Sequence, residues 1–262
     1  HREYLEAGAD VIETNSFGAF GVPLREYDIA DRAHELSLKS AQLARAAADE
    51  FSTVERPRWV GGSMGPGTQF ATLGNISYED LRASYYQSAL GLLEGGIDLY
   101  VIETQFDLLG AKAAMTACRD AMATVGREVP IQVQVTIELT GRMLPGTEIS
   151  AALVALDAMN PDAIGINCAT GPVEMAEHVR HLAQSSRVPT TSAPNSSSNT
   201  KGASLRNWAS PSWAAAVAPL PSTSASSPRR WAVVRWNGPR ANSSPAPPRS
   251  TAWCPSSRTP AS

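Results

Sequence analysis

Residues 95–107 read GGIDLYVIETQFD, and residues 7–17 read AGADVIETNSF. Both enter through Gly and Asp, run through Val-Ile, and leave at Glu-Thr. The echo predicts one βα unit used twice. Each copy holds a short Val- and Ile-bearing run, at 9–15 and 98–105, and 58–64 (RWVGGSM), 131–137 (IQVQVTI) and 162–168 (DAIGINC) are further runs of strand length. Helical stretches fall between them, at 28–51, 77–94, 109–125, 149–159 and 173–184. Ser77 with Asp80 three residues on is a looser capping box, Asp standing where Glu or Gln is usual. Strand and helix alternate over most of the first 184 residues, which argues for a parallel α/β architecture.

The fold class expected is α/β, an incomplete TIM-like (β/α)8 barrel. In a barrel the carboxyl ends of the strands converge on one mouth, where active sites sit. The polar exits Glu13-Thr14-Asn15, Glu103-Thr104-Gln105 and Asn167-Cys168 would meet there. An open doubly wound sheet is the alternative. Against it, no G-x-G-x-x-G follows the first strand. The glycine-rich run 61–67 (GGSMGPG) lacks the Lys-Ser/Thr of a phosphate loop. It reads as a tight turn bringing backbone N–H groups near a ligand such as a carboxylate.

The chain has 262 residues, 22 Lys+Arg, 25 Asp+Glu and a formal net charge of -3. No run of eighteen apolar residues occurs, which excludes a membrane-spanning helix. No secretory signal pattern opens the sequence. Three cysteines, Cys118, Cys168 and Cys254, form no paired framework and suit a reducing, cytoplasmic setting. The averages hide a break. All 25 acids precede residue 178, whereas residues 178–262 hold ten Lys+Arg and no acid. From residue 196 onward Ile, Phe and Tyr are absent, yet five of the six Trp lie there. The chain therefore divides into a barrel portion, 1–195, and a tail, 196–262, expected to be disordered.

Cys168 closes its strand and precedes the turn Ala169-Thr170-Gly171-Pro172. A thiol at that end of a barrel is a candidate nucleophile or metal ligand, with a buried small hydrophobe as the bland alternative. Glu103 ends an apolar strand, where it could bind an ammonium group, act as a base or simply be solvated. Glu13 and Asn15 hold the same place on the first strand. Cys118 lies among Ala and Met in mid-helix and reads as core. His178 and His181 read as a solvated helix face rather than a metal pair.

Gly165-Ile166-Asn167-Cys168-Ala169-Thr170-Gly171-Pro172 resembles the G-x-N-C signature of the homocysteine S-methyltransferase family. Residues 6–18, 62–74, 93–107 and 136–146 add separated stretches in the family's order. The likeness covers residues 1–195 and is strongest to the homocysteine-binding barrel of the cobalamin-dependent methionine synthases. It implies a barrel that binds homocysteine and one zinc ion held by three thiolates, the substrate thiol taking the open position. By position Cys168 is both the catalytic cysteine and a zinc ligand. The resemblance further implies that Glu103 would bind the homocysteine ammonium and that Asn15, Ser16, Gly65 and Asn167 would line the substrate pocket. The partners implied are homocysteine and, on other domains, methylcobalamin and methyltetrahydrofolate.

Two parts of the family pattern are missing from this sequence. The opening strand with its Asp-Gly is absent, since the chain starts within the helix that follows it. The Gly-Gly-Cys-Cys-Gly-Thr-Thr-Pro of the last strand, source of the other two thiolates, is absent as well. Codons for Val-Gly-Gly-Cys-Cys-Gly-Thr-Thr-Pro-Glu-His, read one base late, can give Trp-Ala-Ala-Ala-Val-Ala-Pro-Leu-Pro-Ser-Thr. Residues 213–223 are WAAAVAPLPST. The tail is thus expected to be a frameshifted methionine synthase segment and the chain to be impaired as an enzyme. A zinc-independent α/β-barrel lyase, or a fragment whose basic tail binds nucleic acid, are the competing readings.

Overall fold

The computed structural model describes residues 1–185 and 216–219. The chain enters through α1 (Arg2–Glu6) and β1 (Val11–Glu13), then α2 (Gly21–Arg25), a 3-10 turn (Ala30–Arg32) and α3 (Ala33–Phe51). It continues through β2 (Trp59–Met64), α4 (Tyr78–Glu94), β3 (Leu99–Gln105), α5 (Leu108–Val125) and β4 (Ile131–Val135). Then come α6 (Ile149–Asp157), β5 (Ala163–Ile166), α7 (Pro172–Ser185) and β6 (Ala216–Pro219).

The sheet order is β1-β2-β3-β4-β5-β6. The first four pairings are parallel, and each strand lies beside its successor. A doubly wound sheet reverses its strand order partway, and this one does not. The order is that of consecutive βα units in part of a barrel. β6 pairs antiparallel with β5. It falls inside the stretch expected to be disordered, so for these four residues that expectation is corrected. Pro219, with no N–H to donate, is the last residue of this strand. The other tail expectations, the frame change included, lie outside the described residues.

Strand residues alternate between two faces. Ile12, Val60, Met64, Tyr100, Ile102, Val133, Val135, Ile164 and Ile166 are buried in the core that the helices cover. Tyr100 donates its hydroxyl hydrogen to the Ala89 carbonyl of α4, 2.8 Å away. Glu13, Gly61, Ser63, Val101 and Glu103 occupy the alternate, inner face.

Local chemistry sets the helix ends. Ser77 caps α4 by accepting from Asp80 N at 3.0 Å, as its spacing predicts. Asp107 caps α5, accepting from Leu109 N at 3.2 Å, and it also accepts from Thr72 N, tying down the loop before α4. Gly126 ends α5 in the left-handed region at φ 72°. The expected helix at 28–51 opens instead with the 3-10 turn before α3. α2 was not anticipated, being five residues long and too short for helical periodicity to register.

α3 crosses α4 closely at Gly91. A Cβ there would stand 2.4 Å from the His34 carbonyl oxygen and 3.0 Å from Leu38 N. Gly to Ala inside a helix ordinarily stabilises by about 1 kcal/mol. Here backbone must move, so Gly91→Ala is expected to destabilise by about 1–3 kcal/mol. Urea unfolding checks the sign; a gain in stability would show that the helices are not packed this closely.

The glycine-rich run also differs from its expected form. Gly61 and Gly62 lie within β2, not in a turn. At Gly62 a Cβ would meet Ile97 at 2.8 Å, so the missing side chain admits helix-side packing. The turn begins only after Met64.

Candidate active site

Four strands deliver polar side chains to one end of the inner face. Just beyond β1, Thr14 and Ser16 are buried, with Thr14 Oγ1 and Ser16 Oγ 2.6 Å apart. Ser16 donates to the Ser63 carbonyl at 2.7 Å, and Thr14 Oγ1 accepts from Ser63 N at 2.9 Å. A hydroxyl carries one hydrogen. Ser16 has committed its own, so Thr14 is the donor between the two. Ser63 Oγ then donates to Glu103 Oε1 at 2.6 Å. Asn167 Nδ2 reaches Glu103 Oε2 at 3.3 Å. The network runs unbroken from β1 through β2 and β3 to the end of β5.

Asn167 is its hub. Its side-chain oxygen accepts from Thr104 N at 2.8 Å, and its amide also donates to Thr104 Oγ1 at 2.9 Å. Its carbonyl accepts from Thr136 Oγ1 at 3.1 Å. Thr104 sits at φ 57°, where the register between β3 and β4 shifts. A β-branched residue in the left-handed region is strained, and bulges of this kind re-aim side chains beside functional sites. Asn167 compensates by meeting both the amide and the hydroxyl of Thr104.

Cys168 follows at φ 60° and Ala169 at φ 58°, so β5 ends in two consecutive left-handed residues. The Cys168 thiol is exposed, 3.5 Å from Thr104 Oγ1. That removes the reading of Cys168 as a buried hydrophobe. Cys118, expected as core, is buried with its sulfur 3.6 Å from Met64 Sδ, and burial pushes its thiol well above the usual range. Only the exposed thiol is presented for chemistry among the two described cysteines.

Glu103, Asn167, Cys168 and Ser16 are thus brought together. Gly65 supports them from behind. The Phe17 ring lies where its side chain would be, 2.6 Å from the Cβ position, and Gly65 N donates to the Phe17 carbonyl at 2.9 Å. Its N–H is therefore not free to hold a carboxylate as the turn reading expected. Asn15 is exposed, and no hydrogen bond joins its side chain to the network. Sequence reasoning missed Ser63, Thr14 and Thr104 as network members. The doubled Glu-Thr was the available signal for the threonines; nothing in the pattern marked Ser63.

Glu13 occupies the inner face one strand from Ser63. Its side chain is exposed, yet the protein packed along it and the nearby Glu103 carboxylate push its carboxyl up to about 7. Among the described residues no three His, Cys, Asp or Glu side chains gather in a metal-holding arrangement. A catalytic zinc site takes three protein ligands with one open position, and Cys168 alone does not meet that requirement. His178 and His181 lie apart from the network, bordering a depression with Arg142 and Glu148.

A family model for homocysteine S-methyltransferases matches residues 1–233. Methionine synthases of Mycobacterium leprae (strain TN) and Mycobacterium tuberculosis (strain ATCC 25618 / H37Rv) are each 51% identical over 195 residues, 74% of this chain and 16% of theirs. The chain thus spans about a sixth of the length of these curated relatives. The metallated form of the homocysteine methyltransferase MmuM from Escherichia coli superposes with a TM-score of 0.58 at 23% identity, over 70% of this chain and 66% of that one. That likeness carries the fold. With the family model running over most of its length, this chain belongs to the homocysteine S-methyltransferase family.

Proposed function

We propose that this chain is the homocysteine-binding portion of a methionine synthase, dividing at about residue 195 into a barrel portion and a tail. The observation that carries it is the Glu103 carboxylate, held by Ser63 and Asn167 at the strand ends beside the exposed Cys168. The relatives, each 51% identical over 195 residues, support the methionine synthase reading.

A carboxylate fixed by two donors is a preorganised partner for an ammonium group. Anchored there, homocysteine directs its thiol along the inner face toward Thr104 and Cys168. Ser16, Asn15 and the contact of Gly65 with Phe17 form the flank of that pocket. Asn167 keeps Glu103 and Thr104 in place. In the intact enzyme the methyl group comes from methylcobalamin, replenished from methyltetrahydrofolate, on domains beyond this chain. Zinc would make the substrate thiol a thiolate, with Cys168 as one ligand. The described residues do not complete such a site, so no zinc-dependent step is assigned to them. This chain is expected to bind substrate and to be impaired in forming methionine. A cytoplasmic location fits the free Cys118 and Cys168; no helix among the described residues is long and apolar enough to cross a membrane.

Titration calorimetry of the full chain with L-homocysteine tests the reading. Glu103→Gln removes the charge but keeps the shape. It is expected to weaken binding by about 1.5–3 kcal/mol, roughly ten- to a hundredfold. Unchanged affinity, or no binding by the wild-type chain, would overturn it.

A further inference from the structure

We propose that Thr104 is a positioning residue of this pocket: its hydroxyl donates to Cys168 Sγ and holds the exposed thiol at the strand ends, where the sulfur of a bound aminothiol arrives. This rests on the homocysteine-binding reading and deepens it. Counting hydrogens gives the direction of each bond. The Asn167 amide cannot be turned round, because its oxygen accepts from Thr104 N at 2.8 Å. Its nitrogen carries two hydrogens. One goes to Glu103 Oε2 at 3.3 Å and the other to Thr104 Oγ1 at 2.9 Å. Thr104 Oγ1 is therefore an acceptor toward Asn167, and its own hydrogen is left for the Cys168 sulfur, 3.5 Å away. One amide thus orients both the Glu103 carboxylate and, through Thr104, the thiol.

The backbone is built to allow this. In a regular strand the side chain after Glu103 would face the helices. At φ 57°, beside the register shift, Thr104 turns instead toward the end of β5. Glycine or asparagine would take that conformation with less strain, but neither carries a hydroxyl. Cys168 needs the contact. Its backbone is fixed at φ 60°, with Thr170 N donating to the Cys168 carbonyl at 2.7 Å. Its side chain is exposed, so packing does not choose among the staggered χ1 wells. Among the described residues, Thr104 Oγ1 is the side-chain atom that meets the sulfur. Without it the thiol would have to be ordered as the ligand binds, which weakens binding.

The experiment uses the full chain labelled with carbon-13 at cysteine Cβ. Hα–Hβ couplings of Cys168 are read by NMR, the signal assigned by its loss in Cys168→Ser, and L-homocysteine binding is measured by calorimetry. The wild-type chain is expected to show one χ1 rotamer. Thr104→Val keeps the branched shape without the hydroxyl. It should average the couplings and weaken L-homocysteine binding about three- to tenfold. Thr104→Ser returns the hydroxyl and should return both the single rotamer and the affinity to within about twofold. A role in packing alone would not be rescued by serine. Averaged couplings in the wild type or in Thr104→Ser overturn this inference and leave the homocysteine reading standing, even if the valine variant does not fold. A single rotamer or undiminished affinity in Thr104→Val does the same. No binding of L-homocysteine by the wild-type chain overturns both.

Discussion

Tyr85→Ala is expected to cost about 3–5 kcal/mol of stability, read as a fall in the urea midpoint. Tyr85 is fully buried and stacks on Phe20, ring centres 4.2 Å apart and planes 18° apart. Truncation leaves a cavity between α4 and the segment leading into α2, where little can collapse to fill it. The hydroxyl matters separately: it donates to the Gly65 carbonyl at 2.9 Å. Burial drives the phenol far above its ordinary range, so it stays a neutral donor at any workable pH. Tyr85→Phe keeps the ring and strands the buried Gly65 carbonyl, at about 1–3 kcal/mol. Because Gly65 seats Phe17 behind the pocket, the Phe variant should also weaken homocysteine binding. An alanine variant as stable as the parent would show that this core is not packed as described.

Asn167→Ala removes the hub of the site. It leaves Thr104 N without an acceptor, Thr104 Oγ1 without its donor, and Glu103 held by Ser63 alone. The orphaned amide belongs to a residue at φ 57°, so relaxation of that strain is expected to swing Glu103 out of place. Stability should fall by about 1–3 kcal/mol and homocysteine affinity by at least about tenfold. Asn167→Asp keeps an acceptor for Thr104 N but sets a second carboxylate against Glu103, and should bind no better. Full affinity in the alanine variant would mean that Glu103 is oriented by some other contact.

The five parallel strands and the helices between them were legible because each strand is a short apolar run and α4 and α5 carry their own start or stop signals. Ser77 with Asp80 is the clearest case, realised as a cap. Boundaries shifted where side chains leave the ladder. The fourth run was expected to reach residue 137, yet β4 stops at Val135. Thr136 still donates its N–H to the Gln105 carbonyl of β3, but its hydroxyl donates to the Asn167 carbonyl and so serves the site. The likeness of 7–17 to 95–107 signalled a repeated unit but not equal geometry. Thr104 is left-handed at a register shift, whereas Thr14 follows β1 with its hydroxyl buried against Ser63.

Pattern and motif alone determined that this chain is α/β with successive parallel strands, that Glu103 and Cys168 belong at strand ends, and that Cys118 does not. Those properties are written in neighbouring residues, since apolar periodicity, caps and exits are local. Tertiary structure alone decided that Asn167 binds Thr104 and Glu103, 63 and 64 positions away in sequence. It alone decided that Val101 packs over Gly61 and that Gly91 admits the backbone of α3. Such contacts depend on the register between strands and the distance between helices. Both are settled when the whole core packs, and neither leaves a trace in the order of residues along the chain.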